Sequence, residues 1–328
     1  MKVFVTGAGG FIGSHLVEAL LGAGHEVKAL VRYVSDGRVG FLDGVPEELT
    51  SGLEVVRGDI RDGEFLYREL ADCRRLVHLA ALIGIPYSYD APQQYLDVNV
   101  TGTHNVLSAA LKREVERSVV FSTSEVYGTA LSVPIDELHP RQPQSPYSAS
   151  KIAADALASS YHASFGLPVT IARPFNTYGP RQSERAFIPT VIKQLLFSSS
   201  EEVLLGDLTP TRDLVFVEDT ASIVCKLLES DCLVGQDVNI CTGREYSIGE
   251  VVERLRTMIA PNKRVVRDPA RIRPASSEVF RLLGDNTRLK THLSSIPETS
   301  LEHGLMKTIE WFERASHSAS NFGSGYVK

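Results

Sequence analysis

The sequence predicts an α/β fold: a doubly wound parallel sheet covered by helices on both faces, with a smaller C-terminal lobe interleaved with it. Three observations carry this. Short apolar runs alternate with helix-length segments through the first half; a glycine-rich turn joins the first strand to the first helix; and after Arg173 the pattern loosens into Pro/Gly-punctuated pieces. Strand–helix alternation implies βαβ units, and right-handed crossovers at each unit give a doubly wound sheet.

The elements follow in order. Val3-Phe4-Val5 is a strand, and Phe11 to Ala23 has helical periodicity; Glu26 to Val31 is the second strand. Further strands are expected at Leu53 to Val56, Leu76 to Leu79, Ser118 to Phe121 and Val169 to Ala172, with helices at Gly63 to Ala71, Ala91 to Lys112 and Ser148 to Phe165. Leu214 to Val217 and Asp237 to Ile240 still look like strands, so part of the second half returns to the sheet. The expected division gives residues 1–172 plus about 211–243 to the sheet domain, and about 173–210 and 244–314 to a substrate lobe. Residues 315–328 are rich in Ser and Gly and are expected to be a mobile tail.

Composition narrows the function. With 328 residues, 43% hydrophobic and 23% charged, the chain is long enough for a large core or two lobes. A net charge of −6 excludes a broad positive field for nucleic acid or an acidic membrane. An anionic ligand would need local arginines and backbone N–H groups. Cys73, Cys225, Cys232 and Cys241 form no C-x-x-C pair, so the reading is free thiols and no metal. No signal-like start or membrane-length apolar run is present, and a cytoplasmic protein is expected.

The turn Thr6-Gly7-Ala8-Gly9-Gly10-Phe11-Ile12-Gly13 fits G-x-x-G-x-x-G through Gly7, Gly10 and Gly13. Residues without a Cβ let the backbone approach a pyrophosphate, and the helix start offers free N–H groups and partial positive charge. In that strand-to-helix context it marks a Rossmann dinucleotide site. No Gly-Lys-Ser/Thr follows, which argues against a nucleoside triphosphate. The second strand ends Leu30-Val31-Arg32-Tyr33 without the carboxylate that holds the ribose of NAD. Arg32 could pair with a 2′-phosphate, so of the two forms of NAD(P), NADP is favoured over NAD; the alternative is a solvated arginine.

Tyr147 and Lys151 stand at i and i+4, one face of a helix, where an ammonium lowers a phenol's pKa so that it can accept a proton as hydride leaves. Ser122-Thr123-Ser124-Glu125-Val126-Tyr127-Gly128 follows a strand, at the end where open α/β sheets bind ligands. Tyr127 reads as packing, and His78, in an apolar strand, as a core or cofactor-wall residue. Arg181, Arg212 and Arg273 are either surface charges or fork-shaped donors to a diphosphate, the reading adopted here. Tyr87 and Tyr89 either line a sugar pocket or pack under a loop.

These motifs together resemble the extended short-chain dehydrogenase/reductase family. The resemblance rests on the glycine turn, Asp59-Ile60, His78-Leu79-Ala80-Ala81, Asn99, the Ser/Thr strand end and Tyr147/Lys151, and extends to about Phe312. Arg173-Pro174-Phe175-Asn176-Thr177-Tyr178-Gly179-Pro180 and Arg212-Asp213 with Asp219 look like its nucleotide-sugar epimerase and dehydratase branch. Ile85-Pro86-Tyr87-Ser88-Tyr89 and Arg271-Ile272-Arg273-Pro274 with Ser277-Glu278-Val279 are similar to nucleotide-linked N-acetylglucosamine 4,6-dehydratases of legionaminic acid pathways. Arg273-Pro274 through Gly284-Asp285 is also similar to GDP-mannose 4,6-dehydratases, which favours guanine as the base.

The resemblance implies catalytic roles for Thr123, Ser124, Glu125, Tyr147 and Lys151. It implies cofactor contacts from Gly7, Gly10, Phe11, Ile12, Gly13, Arg32, Asp59, Ile60, Leu79, Ala80, Ala81 and Asn99 as well as Tyr147 and Lys151. Substrate contacts fall to Tyr87, Asn176, Arg181, Arg212, Arg273 and Glu278. Ser124 departs from the dTDP-glucose enzymes, which carry Asp there, and leaves open whether Ser124 or Glu125 acts as the acid. The expected activity is nucleotide-sugar 4,6-dehydration, in a homodimer packed through the helices Ala91 to Lys112 and Ser148 to Phe165. Rival readings are a 4-epimerase, a UDP-glucuronate decarboxylase or 4-keto reductase, and a dinucleotide sensor without turnover. A sensor has no need of the Tyr147/Lys151 pair and Glu125.

Overall fold

The computed structural model describes residues 1–271 and 279–318. The first half runs β1 (Lys2–Thr6), α1 (Phe11–Gly22), β2 (Glu26–Arg32), β3 (Leu53–Gly58), α2 (Gly63–Glu69), β4 (Arg75–His78), α3 (Ile85–Asp90), α4 (Pro92–Tyr95), α5 (Gly102–Lys112), β5 (Arg117–Phe121), α6 (Pro146–Phe165) and β6 (Val169–Pro174). The second runs β7 (Asn176–Tyr178), α7 (Phe187–Phe197), β8 (Glu202–Leu205), β9 (Thr211–Phe216), α8 (Val217–Glu229), β10 (Asp237–Ile240), β11 (Glu245–Ser247), α9 (Ile248–Ile259), β12 (Arg264–Arg267), β13 (Arg281–Leu282), α10 (Thr287–His292) and α11 (Leu301–Ser318).

Seven parallel strands form the main sheet in the order β3-β2-β1-β4-β5-β6-β10. Its strands are apolar on both sides because both sides are covered. Val3, Val5, Val27 and Val119 pack with Leu16 and Leu20 of α1 and Val224 of α8. Phe4, Leu76 and Val120 pack with Val106 and Leu107 of α5 and Ala158 of α6. The order in which successive strands are added switches side between β1 and β4, the point at which an open parallel sheet offers a crevice at the strands' carboxyl ends.

A second core gathers Ile188, Val191 and Ile192 of α7, Val251 and Leu255 of α9, and Leu305 and Ile309 of α11. The expected boundary near residue 211 is corrected here. β9 pairs with β7, β11 and β13 in a separate small sheet, and only α8 and β10 of the 211–243 segment join the main one. Alternation identifies a strand but not its partner, so β9 was indistinguishable from a main-sheet strand. α11 continues through Ser318, into the stretch expected as a tail; residues 319–328 lie outside the described residues.

Two further differences bear on the site. The expected helix from Ala91 to Lys112 is α4 and α5 joined by a π-helical turn, Leu96–Thr101, that turns Asn99 inward. And α6 starts at Pro146, not Ser148, because Ser145 and Ser148 form a reciprocal capping box with Pro at the first turn. That cap puts Tyr147 in the first turn of a twenty-residue helix, at its best-anchored end.

Candidate active site

At the carboxyl end of β1, Gly7 takes φ +69°, and a Cβ there would stand 2.8 Å from the Ala80 amide nitrogen. A Cβ on Gly13 would meet the Gly7 carbonyl at 2.2 Å, so the turn and the first turn of α1 can touch only through glycine. Gly10, by contrast, faces one neighbour at 3.3 Å, and it caps α1 with no side-chain hydrogen bond. The helix start therefore keeps its N–H groups for a ligand on the open side of Gly10, as a pyrophosphate requires. Gly9 was not among the expected contacts. A Cβ there would meet the Val39 carbonyl at 2.4 Å, and Phe41 N–H donates to the Gly9 carbonyl at 3.0 Å, so the chain after β2 folds back onto the turn.

Arg32 is exposed at the end of β2 and lies close enough to Asp59 to help hold its carboxyl low. The main cause of that shift is Arg61, whose guanidinium grips Asp59 at 2.9 and 2.6 Å. Ile60 is buried against Gly102 at the start of α5. Leu79 and Ala80 lie against Gly7, and Asn99 fixes the loop beyond Ala81: its Oδ1 accepts from Leu82 N–H at 2.8 Å, and its Nδ2 donates to the Leu82 carbonyl and to Ser150 Oγ. Ser150 in turn donates to the Tyr147 carbonyl. The glycine turn, the loop after β4 and the Tyr147 helix are thus tied together. Phe11 and Ile12 lean the other way, against the core of the small lobe.

Beneath them runs a buried polar chain. Thr6 Oγ1 accepts from Ala80 N–H and stands 2.7 Å from His78 Nδ1, while His78 Nε2 is 3.0 Å from Thr103 Oγ1, which donates to the Asn99 carbonyl. With each oxygen's partners counted, Thr6 donates to Nδ1 and Nε2–H donates to Thr103, the neutral tautomer. Burial, then Lys151, pushes His78 down to about 3. It is a satisfied wall residue. Because the folded value lies below the ordinary ~6.5, stability from the neutral ring is complete above pH ~6.5 and falls by about 1.4 kcal/mol per pH unit as pH drops towards 3. Urea unfolding at about pH 7 and about pH 5 should show the parent losing roughly 2 kcal/mol more than His78→Gln; equal losses would assign the pH sensitivity elsewhere.

The phenol of Tyr147 is buried and hydrogen-bonded to the Thr123 hydroxyl. Thr123 caps the short turn Ser124–Tyr127 by accepting from Glu125 N–H at 3.2 Å. Burial raises the phenol above its ordinary value; Thr123 opposes this, while the charges of Glu125 and Tyr95 add to it. The direction is opposite to the lowering expected from Lys151, because desolvation of the phenolate is the largest influence on this group. Lys151 Nζ donates to the Phe121 carbonyl at the end of β5 at 2.6 Å, and burial lowers its pKa against the pull of Asp155. Ser124 is buried in the turn beside Glu125.

Tyr87, 41% exposed, stacks at 6.2 Å on Tyr95, which meets Tyr147 edge-on at 6.2 Å, so an aromatic wall leads from α3 to the phenol. Tyr95 was absent from the expected set, though its place one turn before Asn99 could have marked it. Asn176 opens β7 with its Oδ1 buried and without a hydrogen-bond partner among the described residues. Arg181, whose backbone is left-handed (φ +69°), donates through Nη2 to Glu18 of α1 at 2.7 Å, while its Nη1 is buried without a hydrogen-bond partner among the described residues. Arg212 donates to the carbonyls of Thr211 and Val279. Arg273 and Glu278 lie outside the described residues.

The model of the family described as GDP-mannose 4,6 dehydratase matches residues 4–308. A UDP-glucose 4-epimerase of Mycolicibacterium smegmatis is 35% identical over 96% of this chain and 100% of its own. A dTDP-glucose 4,6-dehydratase of Streptomyces antibioticus is 33% identical over 95% of this chain and 92% of its own. Among solved structures, the dTDP-glucose 4,6-dehydratase DesIV of Streptomyces venezuelae, with NAD and TYD bound, has a TM-score of 0.85 at 30% identity, covering 98% of this chain and 99% of its own. Relatives of near-equal similarity thus carry different activities.

Proposed function

This chain belongs to the GDP-mannose 4,6 dehydratase family, among nucleotide-sugar dehydratases and epimerases of extended short-chain dehydrogenase type, and from that premise we propose that it is a nucleotide-sugar 4,6-dehydratase using a bound nicotinamide dinucleotide. Its substrate is a nucleoside-diphosphate hexose, with GDP-N-acetylglucosamine the candidate that the sequence favours. The carrying observation is that Thr123 joins the two groups, bonded to the Tyr147 phenol and accepting from Glu125 N–H, with the Glu125 charge near enough to raise the phenol's pKa.

The glycine cradle and the side-chain-free start of α1 fit a dinucleotide's pyrophosphate. A dinucleotide held there would supply hydride chemistry, acceptance from C4 of the sugar and return to C6. Tyr147 accepts the O4 proton, with Thr123 holding O4 in place. The 4-ketone acidifies the neighbouring C5–H, and Glu125 takes that proton. Ser124 or Glu125 then hands a proton to the C6 hydroxyl, which leaves as water; as C6 is reduced, C5 takes a proton from solvent, and the proton held by Tyr147 returns to solvent. A 4-epimerase has no use for a carboxylate at C5, which favours dehydration over the rival reactions on this scaffold. Incubation with a panel of nucleotide sugars, without added cofactor, should give a product lighter by one water. A product of unchanged mass but inverted C4 would replace this reading with epimerisation.

For the dinucleotide, the absence of a carboxylate at positions 30–33 and the exposed Arg32 favour NADP. Arg32→Ala should weaken NADP binding by roughly ten- to a hundredfold and leave NAD within a fewfold, as one lost charge-assisted pair implies. An equal loss for both would overturn the preference. We also propose a homodimer through α5 with the π-helical turn before it and α6, where Leu96 of that turn and Phe165 of α6 stand exposed; native mass spectrometry would read both the subunit count and the retained cofactor.

A further inference from the structure

Resting on the dehydratase reading for its kinetic part alone, we infer that Arg173 is a positioning residue that sets the helix carrying Tyr147 and Lys151 in register with the turn carrying Thr123, Ser124 and Glu125. Its side chain is wholly buried at the carboxyl end of β6. Nε and Nη2 donate to one carboxylate oxygen of Asp155 at 3.1 and 3.0 Å. Nη1 donates to the Tyr127 hydroxyl at 3.0 Å, and the guanidinium carbon stands 5.3 Å from the centre of that ring. Nη2 also donates to Asp237 of β10.

The two partners are the anchors of the two halves of the site. Tyr147, Lys151 and Asp155 lie at i, i+4 and i+8 of α6, one stripe on its buried face. Tyr127 ends the Ser124–Tyr127 turn, and its hydroxyl donates onward to Asn239 Oδ1 at 2.7 Å. A planar guanidinium can hold both at once because its donors point in fixed, different directions; an ammonium in the same space would satisfy one side. The buried charge is balanced by Asp155 and Asp237, with Arg141 closing the far side on Asp237 at 2.7 Å. Asp155 also supports the charged form of Lys151.

The test is amide hydrogen exchange, which needs no sugar, joined to steady-state kinetics. Arg173→Lys keeps the charge that Asp155 and Asp237 require. It should raise exchange roughly tenfold or more in both 122–128 and 147–155, while Tyr127→Phe raises it in the first segment alone and Asp155→Asn in the second alone. In Arg173→Lys, kcat should fall at least ~10-fold with KM within about twofold, because misplacement by a fraction of an ångström penalises the transition state more than binding. Loosening of one segment only, or of neither, overturns the inference. If the parent enzyme dehydrates no sugar, the dehydratase reading fails by itself, and the exchange pattern still decides the role of Arg173.

Discussion

Tyr147→Phe should lower kcat by roughly a thousandfold while KM stays within a fewfold. The substitution removes one oxygen from a ring that is buried against Tyr95 and set in the first turn of a doubly capped helix, so the fold has no reason to shift. What disappears is the acceptor for the O4 proton, and a positioned proton acceptor contributes on the order of 10²–10⁴ in rate. The hydrogen bond to Thr123 favours the phenolate, but burial outweighs it and leaves the phenol above its ordinary value. At neutral pH the ring is therefore protonated and must lose its proton before it can take one from the sugar. The parent's kcat should accordingly rise with pH as one proton is lost, and Tyr147→Phe should show a flat, low profile. A stopped-time assay across pH on both proteins checks it. Residual activity within tenfold of the parent, still rising with pH, would place the proton acceptor on another residue.

How far the sequence carried these conclusions differs from residue to residue. The strand–turn–helix at the glycine motif was legible because part of its requirement is local, Gly13 meeting the Gly7 carbonyl within the same turn, although Gly7 is also held by Ala80 from a distant loop. The Tyr147/Lys151 face was legible for the same reason, as helical periodicity alone places residues four apart on one side. Gly9 was not, since its requirement comes from Val39, thirty positions along, folding back over it. The Arg181–Glu18 pair was not legible either, because a cation in a loop gives no sign that a carboxylate on a distant helix will meet it. β9 went to the wrong sheet for a related reason: alternation encodes burial, whereas strand partnership is decided by the whole packed molecule. The sign of the Tyr147 shift was missed because spacing shows a neighbouring charge and hides the solvent lost on folding. Asp155 could have been found, because it falls one turn beyond Tyr147 and Lys151 on the same buried face, where an acid calls for a buried cation.

Glu125→Gln separates dehydration from every other reaction on this scaffold. Gln matches Glu in shape, and the Thr123 cap on residue 125 is made through its backbone N–H, so the turn should keep its form. The amide cannot accept a proton. Oxidation at C4 depends on Tyr147 and Lys151 and should proceed, so rapid mixing of enzyme, cofactor and the accepted sugar should show reduced nicotinamide forming at a rate within a fewfold of the parent. Release of water should then fall by roughly 10²–10³, the usual cost of losing a positioned base, and reduced cofactor should accumulate where the parent shows almost none. In deuterated water the parent should place deuterium at C5 of its product, and the variant should lose that incorporation in step with water release. The sign of the accumulation matters most, since a variant that merely disturbed the site would slow C4 oxidation as well. Full water release from Glu125→Gln would remove this carboxylate from the chemistry and leave the epimerase reading the stronger one.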